Sequence, residues 1–229
     1  MYSPSARFRS AVFPITIVLV AMWPVCILAE SPVMRAHFID VGQGSSTLFE
    51  FPCGAVLVDT GGADDEHVTS LVDYLTEFFA SRPDLNDTLS AIFITHPHID
   101  HTRGLREVAN SFRVLNYVDD GKVRGSGRAN VKWIRKSVQD GERTTVIREV
   151  FDNEITELSH RRGLSDATID PVNCADCDPK IIVLSGTLVD QPDWTQEEFD
   201  NLNNHSLVIR IDFGETSFLI TGDLEEPRS

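Results

Sequence analysis

The chain has 229 residues, 41% of them hydrophobic and 24% charged, an ordinary globular balance that excludes a fibrous or compositionally disordered protein. Its 35 acidic and 20 basic residues give a formal net charge of −15. A protein this acidic repels polyphosphate chains at long range, which disfavours loose, nonspecific binding to nucleic acid.

The first predicted element is a targeting segment. Arg7 and Arg9 precede an apolar stretch over residues 11–29, and Ile27-Leu28-Ala29 ends on a small residue where a signal peptidase cuts. Residues 1–29 are therefore expected to be a signal peptide, with an exported domain over residues 33–229. Ile27 stands where a small residue is commoner, so an uncleaved membrane anchor is the alternative. Cys26 follows Val25 rather than a small residue, which sets lipidation aside. Cleavage moves the formal charge from −15 to −17, since the segment holds two arginines and no acid.

Ala55-Val56-Leu57-Val58 is an apolar run ending in Asp59, and a helix is expected over residues 65–80. Ala91-Ile92-Phe93-Ile94 reads as a strand buried on both faces. Immediately after it comes His96-Pro97-His98-Ile99-Asp100-His101, three histidines and an aspartate in six positions. That crowding points to a metal site. Pro97 keeps His96 extended, and in extended chain His96 and His98 point the same way, so they can chelate one ion while Asp100 and His101 serve a second. Leu105, Val108, Ala109 and Phe112 then recur at helical spacing, placing the ligands at a strand-to-helix junction.

Residues 122–148 hold eight basic side chains against Asp140 and Glu142. They present either a basic rim to an anionic substrate or an ordinary solvated helix and loop. Cys174-Ala-Asp-Cys177 has no second pair to complete a zinc ribbon, and in an exported chain a local disulfide is expected, within a surface excursion over residues 166–179. Residues 206–212 and 217–221 read as a hairpin.

HPHIDH matches the HxHxDH signature of the metallo-β-lactamase superfamily. HFIDVGQGSSTLFEFPCGAVLVDTGG (residues 37–62) and NNHSLVIRIDFGETSFLITGD (residues 203–223) resemble the opening hairpin and the NSLVLRL strand and GD loop of the extracellular hydrolase domain of ComEC-type competence proteins. The resemblance implies an α+β fold, a four-layer αββα sandwich, and Zn2+ as cofactor, with two ions in a complete domain. It implies metal ligation by His96, His98, Asp100, His101 and Asp223, with Asp100 and Asp223 serving catalysis and Asp223 bridging the ions. Asp59 matches the aspartate beneath the metals that orients a ligating imidazole. Asp40 and the glycines at 42 and 44 match the first tight turn, which brings the backbone close to the site.

The chain also departs from the family. The superfamily usually carries a histidine on the strand before the hairpin; here the local sequence is Asn203-Asn204-His205, and register decides whether His205 is a ligand. Ser45 stands where competence-type domains have aspartate, and Arg103 where glycine is usual. No histidine follows Asp223 before Ser229, whereas the family supplies one there, so the resemblance implies a domain truncated at its C-terminal end, a poor second metal cage, a nearly inactive chain and an unpaired sheet edge. His67 and His160 offer no obvious replacement. The reaction class is hydrolysis of a phosphodiester or other small-molecule substrate by metal-activated hydroxide. The alternatives are a lactone, ester or β-lactam hydrolase and a non-catalytic metal-binding relic.

Overall fold

A computed structural model describes residues 31–158, 161–190 and 193–225; residues 1–29, expected to be the targeting segment, and His160 lie outside them. The chain enters through β1 (Arg35–Phe38), β2 (Thr47–Phe51) and β3 (Gly54–Val58), which pair antiparallel in sequence order. Every residue of β2 and β3 is buried, because one face of these strands meets helices and the other a second sheet. The helix α1 (Asp65–Ser81) starts where Asp64 accepts a hydrogen bond from the His67 amide, as an N-cap should.

Two short strands, β4 (Thr88–Leu89) and β5 (Ala91–Phe93), lead into α2 (Ile99–Thr102) and α3 (Leu105–Ser111). Then follow β6 (Arg113–Val114), β7 (Asn116–Asp119), α4 (Arg128–Gln139) and β8 (Val146–Glu149). The first sheet has the order β1-β2-β3-β5-β7-β8, and its pairs β3/β5, β5/β7 and β7/β8 are parallel. After a small hairpin of β9 (Thr156–Leu158) and β10 (Arg161–Gly163), the chain forms β11 (Lys180–Ser185), α5 (Gln196–Asp200), β12 (Val208–Phe213) and β13 (Thr216–Ile220). These last three strands make an antiparallel sheet in the order β11-β12-β13.

Alternation along the strands divides the core. Leu48, Leu57 and Ile92 face Leu71, Leu75, Leu105, Val108 and Ile134 of the helices, whereas Phe49, Val56, Val58 and Phe93 face Ile181, Val183, Ile209 and Ile211 of the second sheet. The α+β sandwich expected from the sequence is the fold the chain adopts. Among the described residues, no helix is long and apolar enough to cross a membrane.

The cysteines correct the expectation of a local disulfide. Cys53, on the turn between β2 and β3, is joined to Cys174, and Cys177 is free. The segment over residues 166–179 is irregular chain that runs along the surface, as expected, but Ile169, Val172 and Cys174 turn inward to join the core cluster of the second sheet. Cys174 and Cys177 are close in sequence, but only Cys174 lies beside the exposed turn of the first hairpin, its Cα 5.5 Å from that of Cys53.

Candidate metal centre

The parallel strands β3 and β5 end side by side, and their carboxyl ends carry the site, the place where open parallel sheets bind ligands. Asp59 follows β3 and donates its amide to the Phe93 carbonyl at 2.8 Å. It adopts φ +60, a left-handed conformation that a short polar side chain tolerates. Its carboxylate, fully buried, accepts the Thr95 amide at 2.8 Å, the Thr95 hydroxyl at 2.9 Å and His101 Nδ1–H at 2.7 Å.

These contacts fix the imidazoles. With Nδ1–H donated to Asp59, His101 turns Nε2 toward Asp223 Oδ1 at 3.3 Å and Asp100 Oδ2 at 3.9 Å. The Thr95 hydroxyl spends its proton on Asp59 and is left as acceptor for His96 Nδ1–H at 3.2 Å. His96 Nε2 therefore carries a lone pair, 3.0 Å from His98 Nδ1 and 3.9 Å from Asp223 Oδ2. Burial opposes charge on the His101 ring, but the hydrogen bond to Asp59 and the charges of Asp59, Asp223 and Asp100 outweigh it, raising its pKa to about 9. At His96, burial and then the adjacent His101 cation lower the pKa to about 3, so this ring stays neutral. Ligand atoms of His96, His101 and Asp223 lie within 4.8 Å of one another, with His98 and Asp100 adjoining.

Loops from both sheets enclose this cluster. Ser45 donates its amide to the Asp100 carbonyl at 3.0 Å, and Thr60 donates its amide to the His101 carbonyl at 2.9 Å. A Cβ on Gly44 would lie 2.4 Å from the Asp100 carbonyl oxygen, so only glycine lets the first turn approach this closely. Asp223 arrives from the second sheet after β13. Gly222, at φ +54, sits where a Cβ would come 2.8 Å from Thr95 Cβ, and Leu207 donates its amide to the Thr95 carbonyl at 2.9 Å. Thr95 thus joins both sheets to both imidazoles. Nothing in the histidine motif announced it beyond being a polar residue at the end of a buried run. Ser126 was also missed; its hydroxyl accepts the Ile99 amide at 2.9 Å and so caps α2 from a distant loop.

His205 is not brought to the cluster. Its Nδ1 accepts the Leu188 amide at 3.3 Å and its Nε2–H donates to the Phe199 carbonyl at 2.7 Å. Both nitrogens are spent on backbone, and the ring, fully buried, packs edge-on against Phe199 at 5.2 Å between centroids. His67 is engaged with Asp64 in the first turn of α1. Arg103 spans to the Gly62 carbonyl at 2.8 Å, bracing the loop after Asp59.

A two-sheet sandwich with a histidine and aspartate cluster at the ends of its strands is the architecture of a metal-dependent hydrolase family. A model of the metallo-beta-lactamase superfamily matches residues 39–229, and the chain belongs to that superfamily, whose members bind divalent metals, often zinc. Over 211 residues the chain is 22% identical to the uncharacterized protein YcaI of Escherichia coli (strain K12), covering 91% of this chain and 21% of that protein, so it spans about a fifth of that relative's length. Among solved structures, it is similar to the metallo-beta-lactamase fold protein YhfI from Bacillus subtilis, with 13% identity, a TM-score of 0.40 and coverage of 83% of this chain and 61% of that one. It is also similar to MEM-A1, a subclass B3 metallo-beta-lactamase from a soil metagenome library, with 17% identity, a TM-score of 0.41 and coverage of 80% and 58%. A diphosphatase from the PhnP family matches at 16% identity and a TM-score of 0.31, covering 76% and 51%.

Proposed function

We propose that the chain is an exported zinc-dependent hydrolase of phosphodiesters, of the kind carried by the extracellular domain of competence proteins. The observation that carries this reading is the convergence of His96, His98, Asp100, His101 and Asp223, with the Nε2 atoms of His96 and His101 aimed at the Asp223 carboxylate. The donor set fits a divalent ion: His96 and His101 are fixed through Nδ1 and turn Nε2 toward Asp223, and a bound ion would take the place of the proton that His101 Nε2 carries without it. An ion held there supplies Lewis-acid polarisation and a nucleophile at neutral pH.

The remaining work belongs to the chain. Asp59 holds the ring plane and tautomer of His101, Thr95 does the same for His96, and the loops at Ser45 and Thr60 keep Asp100 and His101 from shifting. The order of the DVGQG turn, DTG strand end, HPHIDH and GD loop supports the competence-type reading and hence a phosphodiester. The formal charge of −17 after loss of residues 1–29 favours a small diester over a nucleic-acid polymer. Ser45, in place of the aspartate of competence-type domains, favours a second reading, a lactone or ester hydrolase.

Two experiments test the proposal. Zinc-loaded chain should release p-nitrophenolate slowly from bis-p-nitrophenyl phosphate, and the paired substitution His96→Ala with His98→Ala should abolish that release. Turnover of p-nitrophenyl acetate without any turnover of the diester would replace the reading by the second one. For export, a reporter fused after Ser229 should be active only outside the cytoplasm; cytoplasmic activity would remove that part of the proposal.

A further inference from the structure

Half of the eight basic side chains over residues 122–148 are spent on internal contacts. Arg135 is bound to Asp119 at 2.6 Å and to Glu149, Arg148 to Glu154 and Asp166 at 2.9 Å each, Lys136 to Asp140, and Arg143 lies over the Trp133 ring at 4.8 Å. Lys122 and Arg124 are the exceptions that matter to the metal cluster, because their loop is its wall. A Cβ on Gly125 would sit 3.4 Å from His98 Cδ2 and 3.0 Å from the Pro97 carbonyl, and Gly127 donates its amide to that carbonyl at 2.9 Å.

The other side of the loop is fixed as well. Leu202 packs against Gly125, closing in to 2.5 Å of where a Cβ would lie, and His205, through its bond to the Phe199 carbonyl, holds the end of α5 in place. Lys122 is laid over the Phe199 ring, with Nζ 5.7 Å from its centroid, and no carboxylate of the described residues is within ion-pair distance of it. Arg124 reaches Asp200 at 3.5 Å, but both side chains are about half exposed, at 43% and 55%, so that pair is weak. Arg124 Nε is buried and has no hydrogen-bond partner among the described residues.

Two neighbouring cations with one loose counter-charge are unfavourable in themselves. Burial and then the charge of Arg124 depress the Lys122 pKa, and the charges of Asp120 and Asp200 offset this only in part. Asp120 and Asp200 lie close enough to act on Lys122, but neither forms an ion pair with it among the described residues.

We propose that Lys122 and Arg124 form the subsite that receives the anionic phosphoryl group of the substrate beside His98. The proposal rests on the phosphodiester reading above and names the residues that would enforce it. An incoming phosphate oxygen would occupy the place between the two cations, giving Arg124 Nε an acceptor and Lys122 a counter-ion, while Phe199 shields one side from water.

The test uses the zinc-loaded chain and inorganic phosphate, followed by calorimetry, so that it does not depend on turnover. The paired substitution Lys122→Ala with Arg124→Ala should weaken phosphate binding by about tenfold or more at unchanged zinc content and melting temperature, the loss expected for charge-assisted contacts. The charge-keeping pair Lys122→Arg with Arg124→Lys should restore most of it. Binding by the alanine pair within twofold of wild type, or no phosphate binding by wild type at millimolar concentration, overturns the proposal. The phosphodiester reading fails separately: a chain that passes this binding test yet hydrolyses p-nitrophenyl acetate and not the diester keeps its anion subsite and loses its assigned reaction.

Discussion

Asp59 does more for the site than any residue of the HPHIDH motif, although it touches no ion in the proposed arrangement. Its carboxylate sets His101 directly and His96 through Thr95. Asp59→Asn keeps the left-handed backbone acceptable, so the fold should survive while zinc affinity, measured by competition with a chelator, falls by roughly 10- to 100-fold. Unchanged affinity would show that the imidazoles are held by packing alone. His96→Ala with His98→Ala should remove most bound zinc, since each zinc needs about three protein ligands; metal analysis showing full zinc content would sink the site assignment. Away from the site, Asp170 buries one carboxylate oxygen with no hydrogen-bond partner, and desolvation raises its pKa to about 6. The folded state then binds that proton more tightly than the unfolded state. Asp170 therefore favours the fold most below about pH 4, and stability falls as pH rises through about 6. Asp170→Asn should raise the melting temperature at pH 7.5 by roughly 2–4 °C, the shift that about 1 kcal/mol gives a chain of this size, with no gain at pH 4. At this scale the cluster was legible because its spacing is local: four side chains of ligand type in six positions leave little to tertiary structure. Ring direction is not local. His205 stood at the right place in sequence to be a ligand, but neighbours 17 and 6 residues away consume both its nitrogens.

Elements were read well wherever one periodicity ran uninterrupted. The helix expected over residues 65–80 spans Asp65–Ser81, and the strand expected over 91–94 spans Ala91–Phe93, with the Ile94 amide still bonded to the Val118 carbonyl. The polar composition of residues 166–179 gives away the surface course of the segment and hides three apolar side chains, Ile169, Val172 and Cys174, that irregular backbone can still aim inward. Cysteine pairing failed for a related reason: the short spacing of Cys174 and Cys177 is visible in sequence, whereas the partner lies 121 residues upstream. Peptide mapping of oxidised chain should find Cys53 joined to Cys174, and Cys177 open to alkylation. Cys53→Ser should lower unfolding free energy by about 2–5 kcal/mol in denaturant titration, as for loss of a native disulfide closing a long loop. A change below about 1 kcal/mol would mean that the packing of Cys174 against Val172 and Ile169 holds this segment without the bond.

For the molecule as a whole, the disulfide draws a boundary. The covalent ring it closes, from Cys53 to Cys174, contains Asp59, Thr95, His96, His98, Asp100 and His101, and leaves out Asp223 with the entire second sheet. Four of the five proposed ligands are thus tethered together even in a partly opened chain, whereas the fifth is delivered by β12 and β13. Those strands depend for their seat on Leu207 meeting the Thr95 carbonyl and on Gly222 packing over Thr95. An ion shared by Asp223 and the histidines would act as a reversible clasp between the ring and the strands outside it. Amide hydrogen exchange should show this: on adding zinc, protection should grow most in residues 207–223 and least within the C-terminal half of α1, which lies inside the ring. Loss of metal would then release the second sheet first, leaving behind a looped, half-folded chain with its histidines still gathered and able to take up the next ion.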